Sequence, residues 1–251
     1  MNKTKINWTD FTWNPVTGCS KKSPGCKNCY AEALYQRFHM SFDVKIHPEK
    51  LREVRNLPSG SKVFVNSTSD LFHEDVPFEF IDSVMGSITS RPDITFQVLT
   101  KRPERALSYQ AYRTISLPGN LWLGVSVEIG LYRERIDILR QIQTRTRFIS
   151  FEPLIGDVGD LNLSGISWVI IGGESGPHHR PMNIEWARNI AIQAKAQNVA
   201  IWMKQLGGFR PGGNIEDFPE DLRIREFPVK EVYLCLRTLD SIQLLQMPIW
   251  P

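Results

Sequence analysis

No apolar run in this 251-residue chain approaches the roughly 20 residues of a membrane-spanning helix, and its opening segment MNKTKINWTD has no apolar stretch of the secretory kind. Neither a bilayer span nor export is therefore expected, and the chain is assigned to the cytoplasm. Cysteine is scarce: there are four, three of them at Cys19, Cys26 and Cys29 and the fourth far off at Cys235. That distribution excludes the disulfide framework of a small secreted domain, and in a reducing compartment it points to metal ligation. No linker, low-complexity run or block of like charge interrupts the sequence, so nothing marks a domain boundary. The length suits one large domain or two small ones, and α/β barrels run to about 250 residues as a single unit. Neither sign of charge dominates; the net +3 is compatible with a phosphate-bearing partner without requiring one.

What the sequence does have is a repeated pattern from residue 62 onward. Short runs rich in β-branched and aromatic residues end abruptly in polar ones: KVFVNS (62–67), ITFQVL (94–99), LWLGVSV (121–127), RFISF (147–151), WVIIGG (168–173) and AIWMK (200–204). Their spacing is that of consecutive βαβ units, and their near-continuous apolar character suits parallel strands buried on both faces. An early strand near residues 6–13 would make seven. VPFEFIDSVMGSI (76–88) reads as a helix with Phe78, Ile81, Val84, Met85 and Ile88 on one face, Asp75 as cap and Pro77 in the first turn. NIEWARNIAIQAKAQ (183–197) reads likewise through Ile184, Ala187, Ile190, Ala191 and Ala194, whereas residues 153–166 carry no clear helix.

An open sheet gathers ligands at one switch point, but here nearly every strand ends in polar or charged residues: Ser67, Ser69 and Asp70; Thr100, Lys101 and Arg102; Ser126 and Glu128; Glu152; Glu174 and Ser175; Lys204 and Gln205. The expectation is an α/β fold, a partial (β/α) barrel of six to seven parallel strands. Residues 1–228 form one barrel domain that includes the cysteine loop. Residues 229–251 form a C-terminal extension, a candidate helix over the barrel, with Cys235 as a small buried hydrophobe rather than a ligand. Trp8 and Trp13 are expected in the core or closing the bottom of the barrel.

Cys26 and Cys29 have the two-residue gap that lets two sulfurs reach one centre, and Gly18, Pro24 and Gly25 allow the chain to wrap back with Cys19. A closed zinc site would need a fourth ligand, and His39, His47, His73 and Cys235 supply no second short-gap pair. Three thiolates suit an iron–sulfur cluster with one iron open. A helix starting near Tyr30, with Tyr30, Ala33, Leu34 and Phe38 on one face, would set its positive N-terminal end beside Cys29. In GGESGPHHRP, His178, His179 and Arg180 either meet phosphate or move protons, or are simply exposed. Lys21, Lys22 and Lys27 either steer an anion or keep the loop solvated.

INWTDFTWNPVTGCSKKSPGCKNCYAE, SDLFHEDVP, LTKRPER, LGVSVE, RFISFEPLIGDV, WVIIGGESGPHHRPM and MKQLGG, in this order from Ile6 to Pro228, resemble the phage-associated three-cysteine-motif proteins, which are similar to radical S-adenosylmethionine (SAM) enzymes. The resemblance implies a [4Fe-4S] cluster on Cys19, Cys26 and Cys29. It also implies SAM chelated to the fourth iron and cleaved by one electron to a 5'-deoxyadenosyl radical. On the same grounds Ser67 and Asp70 would meet the SAM amino group, Lys101 its carboxylate, and Ser126 and Glu128 its ribose. Glu152 and Glu174 remain as catalytic residues toward the substrate, for which nucleic acid is a candidate, and a separate partner protein is implied as well. Two features depart from the radical-SAM pattern: the first gap is six residues instead of three, and the aromatic residue is Tyr30, after the last cysteine, with Asn28 before it. The alternative is a non-catalytic module, braced by zinc or a cluster, that binds nucleic acid or a protein partner.

Overall fold

Each apolar run becomes a strand close to its expected bounds. The structure, a computed structural model, describes residues 2–114, 116–210 and 212–228. A short hairpin strand β1 (Asn2–Lys3) lies antiparallel to β2 (Phe11–Trp13). After a two-stranded ribbon of β3 (Val16–Thr17) and β4 (Lys45–Ile46) come β5 (Lys62–Val65), β6 (Thr95–Thr100), β7 (Leu121–Ser126), β8 (Thr146–Phe151), β9 (Trp168–Gly172) and β10 (Ala200–Gln205). The main sheet runs β1-β2-β5-β6-β7-β8-β9-β10, and every pair from β2 to β10 is parallel. Seven parallel strands thus follow one another in chain order, and β2 and β10 do not pair. This is the expected partial barrel.

Residue alternation on these strands builds two cores. Leu121, Leu123 and Val125 of β7, like Val169 and Ile171 of β9, face outward into the large cluster shared with the helices. Their neighbours face inward, where Trp8, Phe64, Trp122, Phe148, Trp168, Ile170 and Trp202 fill the concave side. The Trp168 ring lies 5.9 Å from Trp122, 5.6 Å from Phe148, 6.2 Å from Trp202 and 6.1 Å from Trp8. Such pairs add about 0.5–1.5 kcal/mol each beyond the area they bury. Side chains from β7 to β10 can converge on one ring only if the sheet curls. Asn7 then bridges the open edge, donating from Nδ2 to the Lys204 carbonyl (3.1 Å) and accepting from Trp202 Nε1 (3.0 Å). The early strand is shorter than expected because Ile6–Thr9 turns inward to deliver Trp8 to this plug. Trp13 is fully buried in the outer core, so both tryptophans pack as expected.

Among the described residues five α-helices cross between strands or flank them: α1 (Tyr30–Arg37), α2 (Phe78–Thr89), α3 (Pro103–Arg113), α4 (Glu134–Gln141) and α5 (Ile184–Ala196). The α2 face is the expected one, but Pro77 itself occupies the cap position without a side-chain bond, so Asp75 does not cap it. The Asn183 carboxamide caps α5 by accepting the Glu185 N–H. The segment 153–166 is irregular, as expected, and still buries Leu154, Val158, Leu161, Leu163 and Ile166. Its backbone groups find partners in α5, where Gln193 and Gln197 bond Gly159, Leu161 and Leu163. Helix α1 buries only Ala31, and Tyr30, Leu34 and Phe38 are exposed, because among the described residues no sheet or helix packs over that face. Among the described residues no helix is long and apolar enough to cross a membrane. The expected helix over 230–251, with Cys235, lies outside the described residues.

Candidate metal centre at the barrel mouth

The cysteine loop lies across the C-terminal ends of the strands and is tied to four of them. Gly18 bridges Ser69 after β5, and its positive φ of 79° brings it so close that an added Cβ would sit 2.0 Å from the Asp43 carbonyl. Cys26 ends a 3-10 turn, Pro24–Cys26, and Cys29 is the residue that starts α1. Just before Cys26, Ser23 Oγ donates to Glu128 Oε1 after β7 (2.6 Å), and just before Cys29, Asn28 Nδ2 donates to Glu174 Oε2 after β9 (2.9 Å). At Arg102, after β6, one guanidinium N–H points at Cys19 Sγ (3.7 Å). Gly25 passes directly over Glu128, where a Cβ would lie 2.5 Å from Cγ, so the loop can seat this deeply only with glycine there.

The three thiols are free and half-buried. Burial, reinforced by the Asp70 charge, pushes the Cys19 thiol up to about 11, against the opposing pull of Arg102. Desolvation pulls the Lys101 ammonium down, but Glu128, Cys26 and Cys29 outweigh it and hold this cation above its ordinary value. Among the described residues no three His, Cys, Asp or Glu side chains are grouped to hold a single metal ion. The donor chemistry fits an iron–sulfur centre. Three thiols from one loop face two cations, with a helix N-terminus at the third cysteine, and Cys19, whose burial disfavours a bare thiolate, gains from the charge of bound iron.

Each expected strand-end residue sits at this mouth, but they divide into two groups. Asp70, 5% exposed, is engaged by the protein: it accepts from Thr100 Oγ1 (2.8 Å), the Phe72 and Lys101 N–H groups (3.0 Å each) and Arg102 Nη1 (3.3 Å). Glu128 is fully buried between Ser23, Arg135 Nη1 (3.0 Å) and Lys101 Nζ (3.5 Å). Glu174 is held by Asn28 and by Arg180 through both its guanidinium and its backbone N–H, which together pull the carboxyl below its ordinary range despite burial. Glu152 is more open; it pairs with Lys204 Nζ (2.8 Å) on the concave side, over Gly172, where a Cβ would lie 2.7 Å from its Oε1. Ser67 donates to Asn14 Oδ1 (3.2 Å), and its carbonyl receives the Tyr30 hydroxyl. The carbonyl of buried Ser126 accepts from Arg135 Nη1 (2.8 Å).

Around the rim, Lys21 pairs with Glu32 (3.2 Å) and Lys22 lies 3.9 Å from Glu74, while Lys27 is exposed. His178 is exposed, and His179 Nδ1 lies 2.9 Å from the Gly176 carbonyl. Arg180 does not present itself to phosphate; besides Glu174 it bonds the Pro24 carbonyl (3.1 Å). The sequence reading missed the loop-holding role of these residues: Ser23 and Arg135 were not singled out, Asn28 was noted only as the residue before Cys29, Arg180 only as a phosphate or proton-transfer candidate, and Arg102 only as one more polar strand end. Their partners lie 105 residues away for Ser23 and 146 for Asn28, distances at which spacing carries no signal.

Fold and site together define a half-barrel α/β protein whose mouth is covered by a three-thiol loop. The chain belongs to the family DUF5131, described as a protein of unknown function, whose family model matches residues 3–232. This membership is coarser than the expected kinship with the phage-associated three-cysteine proteins. No curated protein matches the sequence. A cysteine-to-serine mutant of spore photoproduct lyase is similar with a TM-score of 0.44 and 11% identity, over 78% of this chain and 64% of that one. Spore photoproduct lyase complexed with dinucleoside spore photoproduct is similar with a TM-score of 0.43 and 11% identity, over 77% and 63%. The chain spans less than two thirds of either neighbour, and likenesses of this size carry no argument about its activity.

Proposed function

We propose that this chain is an iron–sulfur enzyme of radical-SAM type, akin to the phage-associated three-cysteine-motif proteins, with a [4Fe-4S] cluster held by Cys19, Cys26 and Cys29. The observation that carries the reading is that the three-thiol loop is pinned onto the strand ends of a parallel half-barrel, where Glu128 and Glu174 hold it from below. Held by Cys19, Cys26 and Cys29, such a cluster would supply the single electron for reductive cleavage of SAM, the source of radical chemistry on the substrate. Lys101, held protonated beside Cys26 and Cys29, is placed for the SAM carboxylate. Ser67 and Ser126 line the mouth for the amino group and ribose. Glu128 orients that edge while carrying the cysteine loop, and Asp70 supports it from behind through Arg102. Of the two carboxylates assigned to the substrate, Glu152 is the one open to the concave side, and with Lys204 it forms an acid–base pair able to bind a polar group or move a proton. Glu174 acts by holding Asn28 and Arg180.

Anaerobically purified protein, reconstituted with iron and sulfide, is expected to hold about four irons per chain and to release 5'-deoxyadenosine with SAM and a reductant. Zinc without sulfide, or a cluster that never turns SAM over, would instead support the non-catalytic alternative.

For the substrate class, a nucleic-acid strand is the reading that the rim supports. Phe209 is 65% exposed and Arg210 is exposed, on a loop joined to the Glu174 strand end by Gly208 N–H to the Glu174 carbonyl and Gly176 N–H to the Gly208 carbonyl (3.0 Å each). An exposed ring flanked by a cation, with Lys27 and His178 on adjoining loops, suits a stacked base and its phosphates. F209A is expected to weaken binding of a single-stranded oligonucleotide about 5- to 150-fold, the equivalent of losing one stacked base. Wild-type protein that binds no oligonucleotide at low salt would remove this class.

A further inference from the structure

We propose that Arg102 orients Cys19 and sets the reduction potential of the cluster, by donating an N–H to the Cys19 sulfur from a buried, fully bonded guanidinium. The inference rests on the iron–sulfur reading above and adds to it a positioning residue outside the three ligands.

Arg102 is 2% exposed and occupies the position just before α3, where β6 hands over to the helix. A guanidinium has five N–H donors. Here Nε donates to Glu74 Oε2 (2.8 Å), Nη1 to Asp70 Oδ2 (3.3 Å) and Cys19 Sγ (3.7 Å), and Nη2 to the Ser20 carbonyl (3.2 Å) and Ser20 Oγ (2.8 Å). Five donors thus meet five acceptors, three of them on Cys19 and Ser20. Two carboxylates alone would satisfy the charge of a structural arginine. The remaining bonds are spent on the first cysteine and its neighbour, the point at which the long six-residue gap of the motif begins.

The arginine is itself held from behind. Asp70 is fixed by Thr100, Phe72 and Lys101, so its carboxylate presents a constant face to the guanidinium. Ser20 Oγ also lies 2.7 Å from His73 Nε2, and His73 Nδ1 accepts the Asp75 N–H (3.1 Å). The proton of a neutral His73 is therefore on Nε2, which donates to Ser20. Cys19 is thereby placed by a shell with one geometry instead of by its own loop.

Reducing a cluster adds negative charge that spreads onto its sulfurs. Hydrogen bonds to those sulfurs, with a cation behind them, stabilise the reduced state and raise the potential. Without the guanidinium, Cys19 would face the Asp70 carboxylate uncompensated, so the potential should fall for both reasons.

The test uses the full chain, anaerobically reconstituted with iron and sulfide, as wild type, R102K, R102Q and a remote control, R140Q. The midpoint potential is read by dithionite titration with EPR detection, alongside iron per chain and the thermal melting temperature. Expected is a potential lower in R102Q than in wild type, with R102K between them and R140Q unchanged. If R102Q fails to fold or to hold iron, R102K, which keeps the charge and loses the fork, carries the measurement. A purely structural role would lower the melting temperature and leave the potential where it is. Equal potentials at equal iron content in wild type and R102K, and in R102Q where it holds iron, overturn the proposal alone. A wild type that takes up no cluster overturns the iron–sulfur reading on which it rests.

Discussion

Cys26→Ala is expected to reduce reconstituted iron and sulfide from about four per chain to near zero while leaving the fold intact. Cys26 ends a short 3-10 turn, is half-buried, and makes a weak side-chain hydrogen bond with Ser23 Oγ at 3.9 Å. The loop around it is fastened by other residues, notably Ser23 to Glu128 and Asn28 to Glu174. Its thiol therefore contributes little to folding, and its loss is felt where it binds. With one of three ligands gone, one iron loses its protein thiolate, and two thiolates do not retain the cluster. The check is iron and sulfide content with the visible spectrum, compared with C235S, which is expected to retain both. Full cluster content in C26A, with wild-type spectra, would show that Cys26 is not a ligand.

The second large effect is on stability. Glu128→Ala is expected to destabilise the protein by about 3–5 kcal/mol, the cost of stripping a buried ion pair of one partner. Glu128 has no solvent exposure and lies between Arg135 Nη1 (3.0 Å), Lys101 Nζ (3.5 Å) and the Ser23 hydroxyl (2.6 Å). Removing it leaves two cations facing each other under the cysteine loop. Arg135 keeps its bond to the Ser126 carbonyl (2.8 Å) but not its counter-charge. The milder Ser23→Ala removes one hydrogen bond to a carboxylate and is expected to cost about 1.5–3 kcal/mol. Urea unfolding of the two variants separates these sizes. An E128A protein within about 1 kcal/mol of wild type would mean that water replaces the carboxylate, and that the loop is not anchored there.

Much of the frame was legible because strands buried on both faces need apolar residues, and βαβ units impose a length on the gap between them. The six strands from β5 to β10 could be bounded closely for that reason, and α5 could be read from its periodicity and from Asn183. Where the reading slipped, local and tertiary forces disagreed. Ile6–Trp8 looks like the start of a strand, yet the barrel needs Trp8 as a plug more than it needs a longer β2. The α1 face of Tyr30, Leu34 and Phe38 looks like a core stripe, but a helix seated above the mouth has no sheet to pack against. Helices α3 and α4 drew no individual notice, since Arg102 and Pro103 at one and Arg135 within the other serve the site as well as the helix.

For the site, residue type and order were enough to place Cys19, Cys26, Cys29, Glu128, Glu152 and Glu174 at one end of the barrel, because a parallel sheet gathers all its C-terminal ends on one side. They did not show which carboxylates remain open. Asp70 and Glu128 were expected at SAM and Glu174, with Glu152, at the substrate, yet the first three are held by Arg102, Arg135, Lys101, Asn28 and Arg180, and Glu152 pairs with Lys204. The sequence by itself determined the succession of strands, the crossover helices α2 and α5 and the three thiols, all of which follow from period, spacing and residue chemistry along the chain. Only the tertiary structure decided which charge meets which, and hence that Arg102 serves Cys19 while Glu152 and Lys204 face the open bowl. Those partners lie 83 and 52 residues apart, and ion pairing depends on distance through space, which spacing along the chain does not encode.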